Sequence, residues 1–255
     1  MKERVVAGGR VGNYWVTKLL ASTARAQLYV AAHETTNVTR VVKIISHETP
    51  NQQRDLEEKD SQAQQQQQQQ QRSPRPQRAK SGEKKKEFKM MALLQGHENI
   101  LPLYEVVQGP ERTSLVIQHC EGGDLWTYTT RISKRRVKVD RESHTSHSQS
   151  HFYGLSRVEA WRIFKQLVAA VGWMHRKGFA HRDIKPENVF LDTSGKVFLG
   201  DFGFTTRCGE DGKMKNRSCG TLQYAAPELL KAQSYRGPEI DSWALGKFVP
   251  FLSCY

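Results

Sequence analysis

The sequence predicts an α+β fold in which a small, strand-rich part is followed by a mainly helical part. Three runs within residues 11–45, YWVTKLL, AQLYVAAHE and RVVKII, alternate in strand fashion and are rich in β-branched and aromatic residues. After Gly122–Gly123 the apolar residues change to helical spacing, most clearly in SRVEAWRIFKQLVAAVGWMHRKG. These observations favour antiparallel strands in the first part and helices in the second.

The remaining elements follow from shorter patterns. NILPLYEVV and SLVIQHC predict two further strands, which makes five in the first part. The apolar residues of EKKKEFKMMALLQ fall at helical spacing, and Gly96 can end that helix. Ser156 and Glu159 form a capping-box pattern at the start of the long helix, and Gly178 follows its end. NVFLD and KVFLG predict two short strands joined by the turn TSG.

Two polar stretches interrupt these patterns. Residues 46–80 contain the glutamine tract Gln64–Gln71, and residues 133–152 are rich in Lys, Arg, Ser and His. Neither stretch offers much apolar surface to bury, so we expect two disordered inserts. Residues 1–10 are predicted to be a leader, and residues 247–255 a divergent tail.

Composition excludes several classes of protein. The four cysteines form no CxxC pair, which disfavours a zinc site and a disulfide framework. No apolar stretch has the length of a signal peptide core or a membrane span, so we expect a protein of the cytoplasm or the nucleus with no membrane partner. The net charge of +13 would suit a nucleic-acid-binding module. Because no basic surface interleaved with aromatic residues can be read from the sequence, nucleic acid is not the expected partner.

Four motifs occur in a fixed order along the second part of the chain. They are HRDIKPEN at 181–188, DFG at 201–203, APE at 226–228 and DSWALG at 241–246. Upstream of them, VVKII supplies Lys43. In this order and at these spacings, the motifs resemble the signature set of the eukaryotic serine/threonine protein kinase family. SCGTLQYAAPELL resembles the calcium/calmodulin-dependent and Snf1-like group of that family.

The resemblance covers residues 11–246 apart from the two inserts, and it implies a bilobal protein-kinase-like fold. The N-lobe would span 11–117, the hinge 118–121 and the C-lobe 122–246. The implied activity is ATP- and Mg²⁺-dependent phosphorylation of serine or threonine hydroxyls on protein substrates. A complete domain of this family continues with further helices after DSWALG, so we expect a C-terminally truncated catalytic domain.

The resemblance assigns the chemistry to five residues. Asp183 would accept the proton of the substrate hydroxyl, and Lys185 would stabilise the phosphoryl group in transfer. A lysine in this position of DIKPEN is typical of the serine/threonine class. Asn188 and Asp201 offer the oxygen ligands that suit Mg²⁺ bound to ATP phosphates. Lys43 would hold the α- and β-phosphates.

The nucleotide pocket is also assigned by resemblance. Lys43 would pair with a carboxylate of the first helix, for which Glu87 is the first candidate and Glu83 the alternative. Ile117 would be the gatekeeper beside the hinge. The remaining ATP-binding positions are Leu20, Leu28, Val41, Gln118, His119, Cys120 and Phe190.

The activation segment departs from the relatives it resembles. Arg182 would pair with a phosphate in this segment, but Arg217 occupies the position where the phosphorylated threonine of these relatives lies. The adjacent Ser218 is the alternative acceptor, which leaves control by an upstream kinase open. Thr221 matches the residue that steadies the catalytic loop, which in this family is the HRDIKPEN segment, here 181–188.

The loop that covers the ATP phosphates in this family also departs from the family pattern here. Its three glycine positions hold Ala21, Thr23 and Ala26, which predicts a weaker grip on the nucleotide because glycine lets backbone N–H groups approach phosphates closely. A non-catalytic, kinase-like scaffold is therefore the alternative reading. Asp124 and Glu187 match positions that contact basic substrate residues, and this suggests substrates with Arg or Lys near the target hydroxyl.

Overall fold

A computed structural model describes most of the chain as two compact units. The residues described are 8–23, 26–46, 84–142, 155–208, 213–214, 220–231 and 233–254. The first unit consists of Met1–Lys89 and Pro102–His119, and the second of Met90–Leu101 and Cys120–Tyr255. The boundary between the units at His119 and Cys120 falls inside the hinge predicted at 118–121. Met90–Leu101, which the prediction assigned to the N-lobe, groups with the second unit.

The first unit is built on one antiparallel sheet. Its strands are β1 (Arg10–Val11), β2 (Tyr14–Ser22), β3 (Ala26–His33), β4 (Thr39–Ser46), β5 (Leu103–Gln108) and β6 (Arg112–Gln118). They pair in the order β1-β2-β3-β4-β6-β5. The five predicted strands are β2 to β6, and the two-residue β1 adds a sixth at the edge.

Alternation of buried and exposed residues places one face of this sheet against a core. On β2, Tyr14 and Val16 are buried while Trp15 between them is exposed, as the period of two in a strand requires. The core cluster contains Val11, Tyr14, Val16, Tyr29, Ala31, Val42, Ile44 and Val116. The register sets Lys43 of the central strand β4 beside Leu28 on β3 and Leu115 on β6.

In the described part of the chain, the helix α1 (Lys84–Leu93) follows these first four strands. Its bounds lie within the predicted 83–95, and Gly96 follows it with φ of 100°, a conformation that favours glycine. The predicted insert at 46–80 lies outside the described residues except for Ser46, the last residue of β4.

The second unit is mainly helical. Its helices are α2 (Leu125–Glu142), α3 (Arg157–Arg176), α4 (Pro227–Leu230) and α5 (Gly237–Cys254). Its strands are β7 (Gly123–Asp124), β8 (Phe179–Ala180), β9 (Val189–Leu191), β10 (Val197–Leu199), β11 (Thr206–Arg207), β12 (Lys213–Met214) and β13 (Tyr235–Arg236). They form three small sheets, ordered β10-β9-β7, β11-β8 and β12-β13.

The long helix α3 has the predicted caps. Ser156 Oγ accepts a hydrogen bond of 3.2 Å from the Glu159 backbone N–H, and Gly178 follows the helix with φ of 77°. One face of the helix is buried, through Ile163, Leu167, Ala170, Val171 and Met174. Across the described ranges, none of the helices combines the length and the apolar character needed to cross a membrane.

Two segments differ from the sequence predictions. Helix α2 continues to Glu142, so the prediction of a disordered insert is wrong for residues 133–142. Lys, Arg and Glu favour helix almost as strongly as Leu, and a polar composition therefore did not exclude one. Helix α5 runs through most of the tail predicted at 247–255 and buries Phe248, Phe251 and Leu252. Their spacing of i, i+3 and i+4 is that of one helical face.

Candidate active site

An ion pair joins the central strand of the first unit to its helix. Lys43 Nζ lies 2.5 Å from Glu87 Oε1, and the two side chains are 19% and 13% exposed. Partial burial of both groups reduces the screening of their attraction by water. The bond to the Glu87 carboxylate fixes the direction of the Lys43 ammonium. The alternative partner, Glu83, lies outside the described residues.

The catalytic loop, residues 181–188, is tied to the start of α5 by Asp241. This carboxylate is buried and accepts three bonds of 2.8 Å, from the backbone N–H groups of His181 and Arg182 and from His175 Nε2. Arg182 has φ of 68°, a conformation that costs energy for any residue with a Cβ. The Asp241 bonds therefore help to hold the backbone immediately before Asp183 in an unfavourable conformation.

The carboxylate of Asp183 lies in a closed network of side chains. Lys185 Nζ lies 2.8 Å from its Oδ2, and the Thr221 hydroxyl donates to its Oδ1 at 3.0 Å. Asn188 Nδ2 donates to Oδ2 at 3.0 Å and to the Asp183 carbonyl at 2.8 Å. Lys185 also donates to Thr221 Oγ1 at 2.9 Å, which closes the ring. Because each carboxylate oxygen accepts from a fixed donor, the orientation of the Asp183 carboxylate is set by its neighbours.

Asn188 and Asp201 supply oxygen atoms that fit a magnesium ion. Asn188 uses its Nδ2 on Asp183, so its Oδ1 is the atom it could offer to a cation. The exposed Asp201 has φ of 56°, and the Gly200 N–H donates to the Asn188 carbonyl at 2.9 Å, which links the two segments. No group of three or more His, Cys, Asp or Glu among the described residues could hold a metal. Two oxygen ligands suit Mg²⁺, which keeps several waters and binds substrate phosphates.

The sequence model of the protein kinase domain family matches residues 24–253 of this chain. The chain belongs to the protein kinase family. The predicted family and its α+β fold are thereby confirmed.

Several curated relatives of this kinase chain carry kinase names. A carbon catabolite-derepressing protein kinase of Secale cereale is 32% identical over 246 residues, which are 95% of this chain and 39% of the relative. Its namesake in Saccharomyces cerevisiae is 29% identical over 253 residues, 99% of this chain and 32% of the relative. Serine/threonine protein kinase OSK3 of Oryza sativa subsp. indica is 36% identical over 170 residues, 67% of this chain and 29% of the relative. The chain thus spans two fifths or less of these relatives, and the predicted Snf1-like serine/threonine group is confirmed.

The predicted adenine-contacting residues of the kinase are divided between the two units. Val41 and Ile117 are buried on neighbouring strands of the first unit, where Leu28 is half-buried and Leu20 is 45% exposed. Phe190 belongs to the second unit, on β9. A Cβ at Gly200 would lie 2.9 Å from the Phe190 ring, so this position needs glycine.

Among the predicted hinge residues, Gln118 makes two side-chain hydrogen bonds within the first unit. Gln118 donates from Nε2 to the His119 carbonyl at 2.9 Å and accepts at Oε1 from the Tyr104 hydroxyl at 2.6 Å. Burial raises the pKa of Cys120 to about 12, and the nearby Asp192 carboxylate adds to the effect. The thiol is therefore neutral and unreactive at neutral pH.

Thr23, directly after β2, is bonded to Ala26, the first residue of β3. The Thr23 hydroxyl accepts a bond of 3.0 Å from the Ala26 N–H and donates to the Ala26 carbonyl at 3.1 Å. The two backbones also pair directly, through a bond of 2.8 Å from the Thr23 N–H to the Ala26 carbonyl. Ala26 fills a glycine position of the family pattern, and its N–H is engaged within the loop. Sequence reasoning noted the missing glycines and missed this bond, which the Thr–x–x–Ala spacing could have suggested.

Arg182 has its guanidinium engaged within the second unit. Its Nε donates to the Phe204 carbonyl at 2.8 Å, and its Nη1 donates to the Tyr235 hydroxyl at 3.1 Å. Ser218 and Arg217 lie outside the described residues. Tyr235 and His175 were not among the predicted site residues, because nothing in their local sequence shows which distant side chain they contact.

Proposed function

We propose that this chain transfers the terminal phosphate of ATP to serine or threonine hydroxyls of protein substrates. The observation that carries the proposal is the network around Asp183, in which Lys185, Asn188 and Thr221 all contact the carboxylate. A scaffold without chemistry has no need to orient both oxygens of a buried carboxylate, whereas a proton acceptor has.

The residues of the second unit would carry the transfer step. Asp183 would orient the substrate hydroxyl and take its proton as the oxygen attacks the terminal phosphorus and the bond to the ADP oxygen breaks. The Lys185 ammonium would offset the negative charge on the phosphoryl oxygens during transfer. Asn188 and Asp201 would hold Mg²⁺, which when bound neutralises charge on the ATP phosphates.

Lys43 and Glu87 would act together in binding ATP. The carboxylate holds the ammonium in one direction, and the ammonium would bind the α- and β-phosphates of ATP. The other ATP-binding residues of the proposal are those assigned by the family resemblance: Leu20, Leu28, Val41, Ile117, Gln118, His119, Cys120 and Phe190.

The substrates of the proposal carry basic residues near the target hydroxyl. Glu187 is exposed within the catalytic loop, which supports this preference. Asp124 supports it less, because its carboxylate accepts bonds of 2.8 Å from both the backbone N–H and the hydroxyl of Thr127. A preference for acidic peptides in a phosphorylation library would refute it. The proposal places the protein in the cytoplasm or the nucleus and leaves Ser218 as the acceptor for an upstream kinase.

The deciding experiment compares the parent chain with Asp183→Asn, using Mg-ATP and a serine/threonine peptide pool. We expect Asp183→Asn to lower the rate by about 10²–10⁴-fold, the usual contribution of a general base. Glu98→Gln is the matched control, since Glu98 is 73% exposed and pairs at 3.2 Å with Lys196, a residue outside the Asp183 network. Equal transfer by the parent and Asp183→Asn would mean that a contaminating kinase is responsible. Absence of transfer by the parent, with no change of Tm in Mg-ATP, would favour the scaffold reading.

A further inference from the structure

The guanidinium of Arg182 lies between two parts of the second unit. One bond, to the Phe204 carbonyl, reaches the segment directly after the DFG motif, and the other, to the Tyr235 hydroxyl, reaches β13. The backbone of Arg182 is in the left-handed region at φ of 68°. A residue with a Cβ stays in this region only where its surroundings hold it, and Tyr235 supplies one of the contacts that do so.

The hydroxyl of Tyr235 is itself rigidly placed. Tyr235 is 4% exposed, and its ring packs in a buried cluster with Ala180, Ala226, Leu229 and Ile240. Its backbone pairs with β12, where Met214 is its partner in the register. Packing of the ring and pairing of the backbone together leave the hydroxyl little freedom, so its bond to Arg182 fixes the guanidinium at a defined point.

We propose that Tyr235 is a positioning residue for phosphoryl transfer, acting on Asp183 through Arg182. This inference rests on the proposed function. Arg182 directly precedes Asp183, so a change in the Arg182 backbone moves the carboxylate relative to Lys185 and Thr221. Because the tyrosine hydroxyl is neutral, it holds the guanidinium without a phosphate. The catalytic loop is thus oriented, in part, by a contact that needs no modification of the chain.

The test removes the hydroxyl alone. Tyr235→Phe keeps the ring and its packing, and we expect kcat to fall about 10-fold or more while KM for Mg-ATP and for the peptide stays unchanged. The stoichiometry of Mg-ADP binding should remain that of the parent, which separates a slower enzyme from a partly unfolded one. Tyr128→Phe is the matched control, because it removes a hydroxyl that donates to Glu159 Oε1 at 2.6 Å, between α2 and α3. We expect it to keep the parent kcat.

A second measurement does not depend on activity. Tm is compared for the parent, Tyr235→Phe, Arg182→Met and the double variant. Because the hydroxyl bonds to Arg182, we expect Tyr235→Phe to lower Tm by about 2–4 °C in the parent and to have almost no effect once Arg182 is replaced.

The outcomes separate the two proposals. Equal loss of Tm in both backgrounds would overturn the inference, and so would an active parent whose kcat survives Tyr235→Phe. If the parent transfers no phosphate, the proposed function fails, and the Tm comparison alone decides whether Tyr235 holds Arg182.

Discussion

The Thr221 hydroxyl lies 3.0 Å from Asp183 Oδ1, so a residue 38 positions further along the chain orients the proposed proton acceptor. Thr221→Val removes this donor and also the acceptor of the bond from Lys185. We expect kcat to fall by about 10–10²-fold, because the carboxylate and the ammonium both lose a fixed position. Thr221→Ser keeps the hydroxyl and should retain most of the activity. Steady-state peptide phosphorylation checks both, and equal rates for the two variants would contradict the role of the hydroxyl.

Gly220 allows this threonine to approach the catalytic loop. It has φ of 87°, and a Cβ there would lie 2.5 Å from the Arg182 carbonyl oxygen. Gly220→Ala should therefore cost at least about 1–2 kcal/mol in free energy of unfolding and lower kcat as well. Gly246→Ala is the control, since a Cβ at Gly246 in helix α5 meets nothing within 4 Å. That change should stabilise the protein by about 0.5–1 kcal/mol. Urea unfolding measures both, and a neutral Gly220→Ala would show that the backbone adjusts freely.

Thr23 is expected to weaken nucleotide binding. Its hydroxyl accepts the Ala26 N–H, a group that a phosphate could otherwise use. Thr23→Ala frees this N–H, and we expect the Kd for Mg-ATP to fall about fivefold, the worth of one hydrogen bond of about 1 kcal/mol. Thr17→Ala is the control on the same strand pair, where the Thr17 hydroxyl donates to the Val30 carbonyl at 3.0 Å. Calorimetry compares the two variants, and weaker binding by Thr23→Ala would show that the closed loop assists the nucleotide.

Protonation of His97 is expected to make the stability of the protein depend on pH. Burial lowers its pKa below the ordinary 6.5, the charges of Arg176 and Lys196 act in the same direction, and Glu98 opposes them. Its Nδ1 also accepts the Asn99 N–H at 3.1 Å, a bond that a protonated ring would lose. Below about pH 6.5 the unfolded chain binds a proton at His97 that the folded chain resists, so this contribution to stability is complete above that pH and is lost as the pH falls.

The corresponding measurement is urea unfolding at about pH 7.5 and about pH 5.5, on either side of the ordinary histidine pKa. The loss of free energy of unfolding between the two pH values should be smaller for His97→Gln, whose amide oxygen can still accept the Asn99 N–H. An equal loss in both proteins would assign the pH dependence to other groups.

Local patterns predicted most of the fold. The alternation in β2, β3 and β4 and the caps at Ser156 and Gly178 are features of neighbouring residues, and the structure has them close to the predicted bounds. The extension of α2 was missed because a run of basic residues was interpreted as an insert. Lys and Arg have helix propensities close to that of Leu, so a basic composition alone does not distinguish a helix from an insert.

The site residues also divide into those that a local motif indicates and those that only the folded chain brings together. The motifs indicated Lys43, Asp183, Asn188 and Asp201, since each lies in a short and specific pattern. The bond from Tyr235 to Arg182 could not be predicted in this way, because it joins residues 53 positions apart that only the folded chain brings together. The Thr23–Ala26 contact is local, and the Thr–x–x–Ala spacing is compatible with it, but that spacing does not fix the Thr23 rotamer on which the bond depends.

The segment Met90–Leu101 belongs with residues that come much later in the chain. Asn99 Nδ2 donates to the Val197 carbonyl at 2.8 Å and to Gln166 Oε1 at 3.1 Å, and the Leu101 N–H donates to the Leu199 carbonyl at 2.9 Å. Expressing the chain as two separate polypeptides divided at His119 would leave these donors on one piece and their acceptors on the other. The second piece would then lack Met90–Leu101, a segment of its own unit, so a split-reporter design on this scaffold would need the break elsewhere.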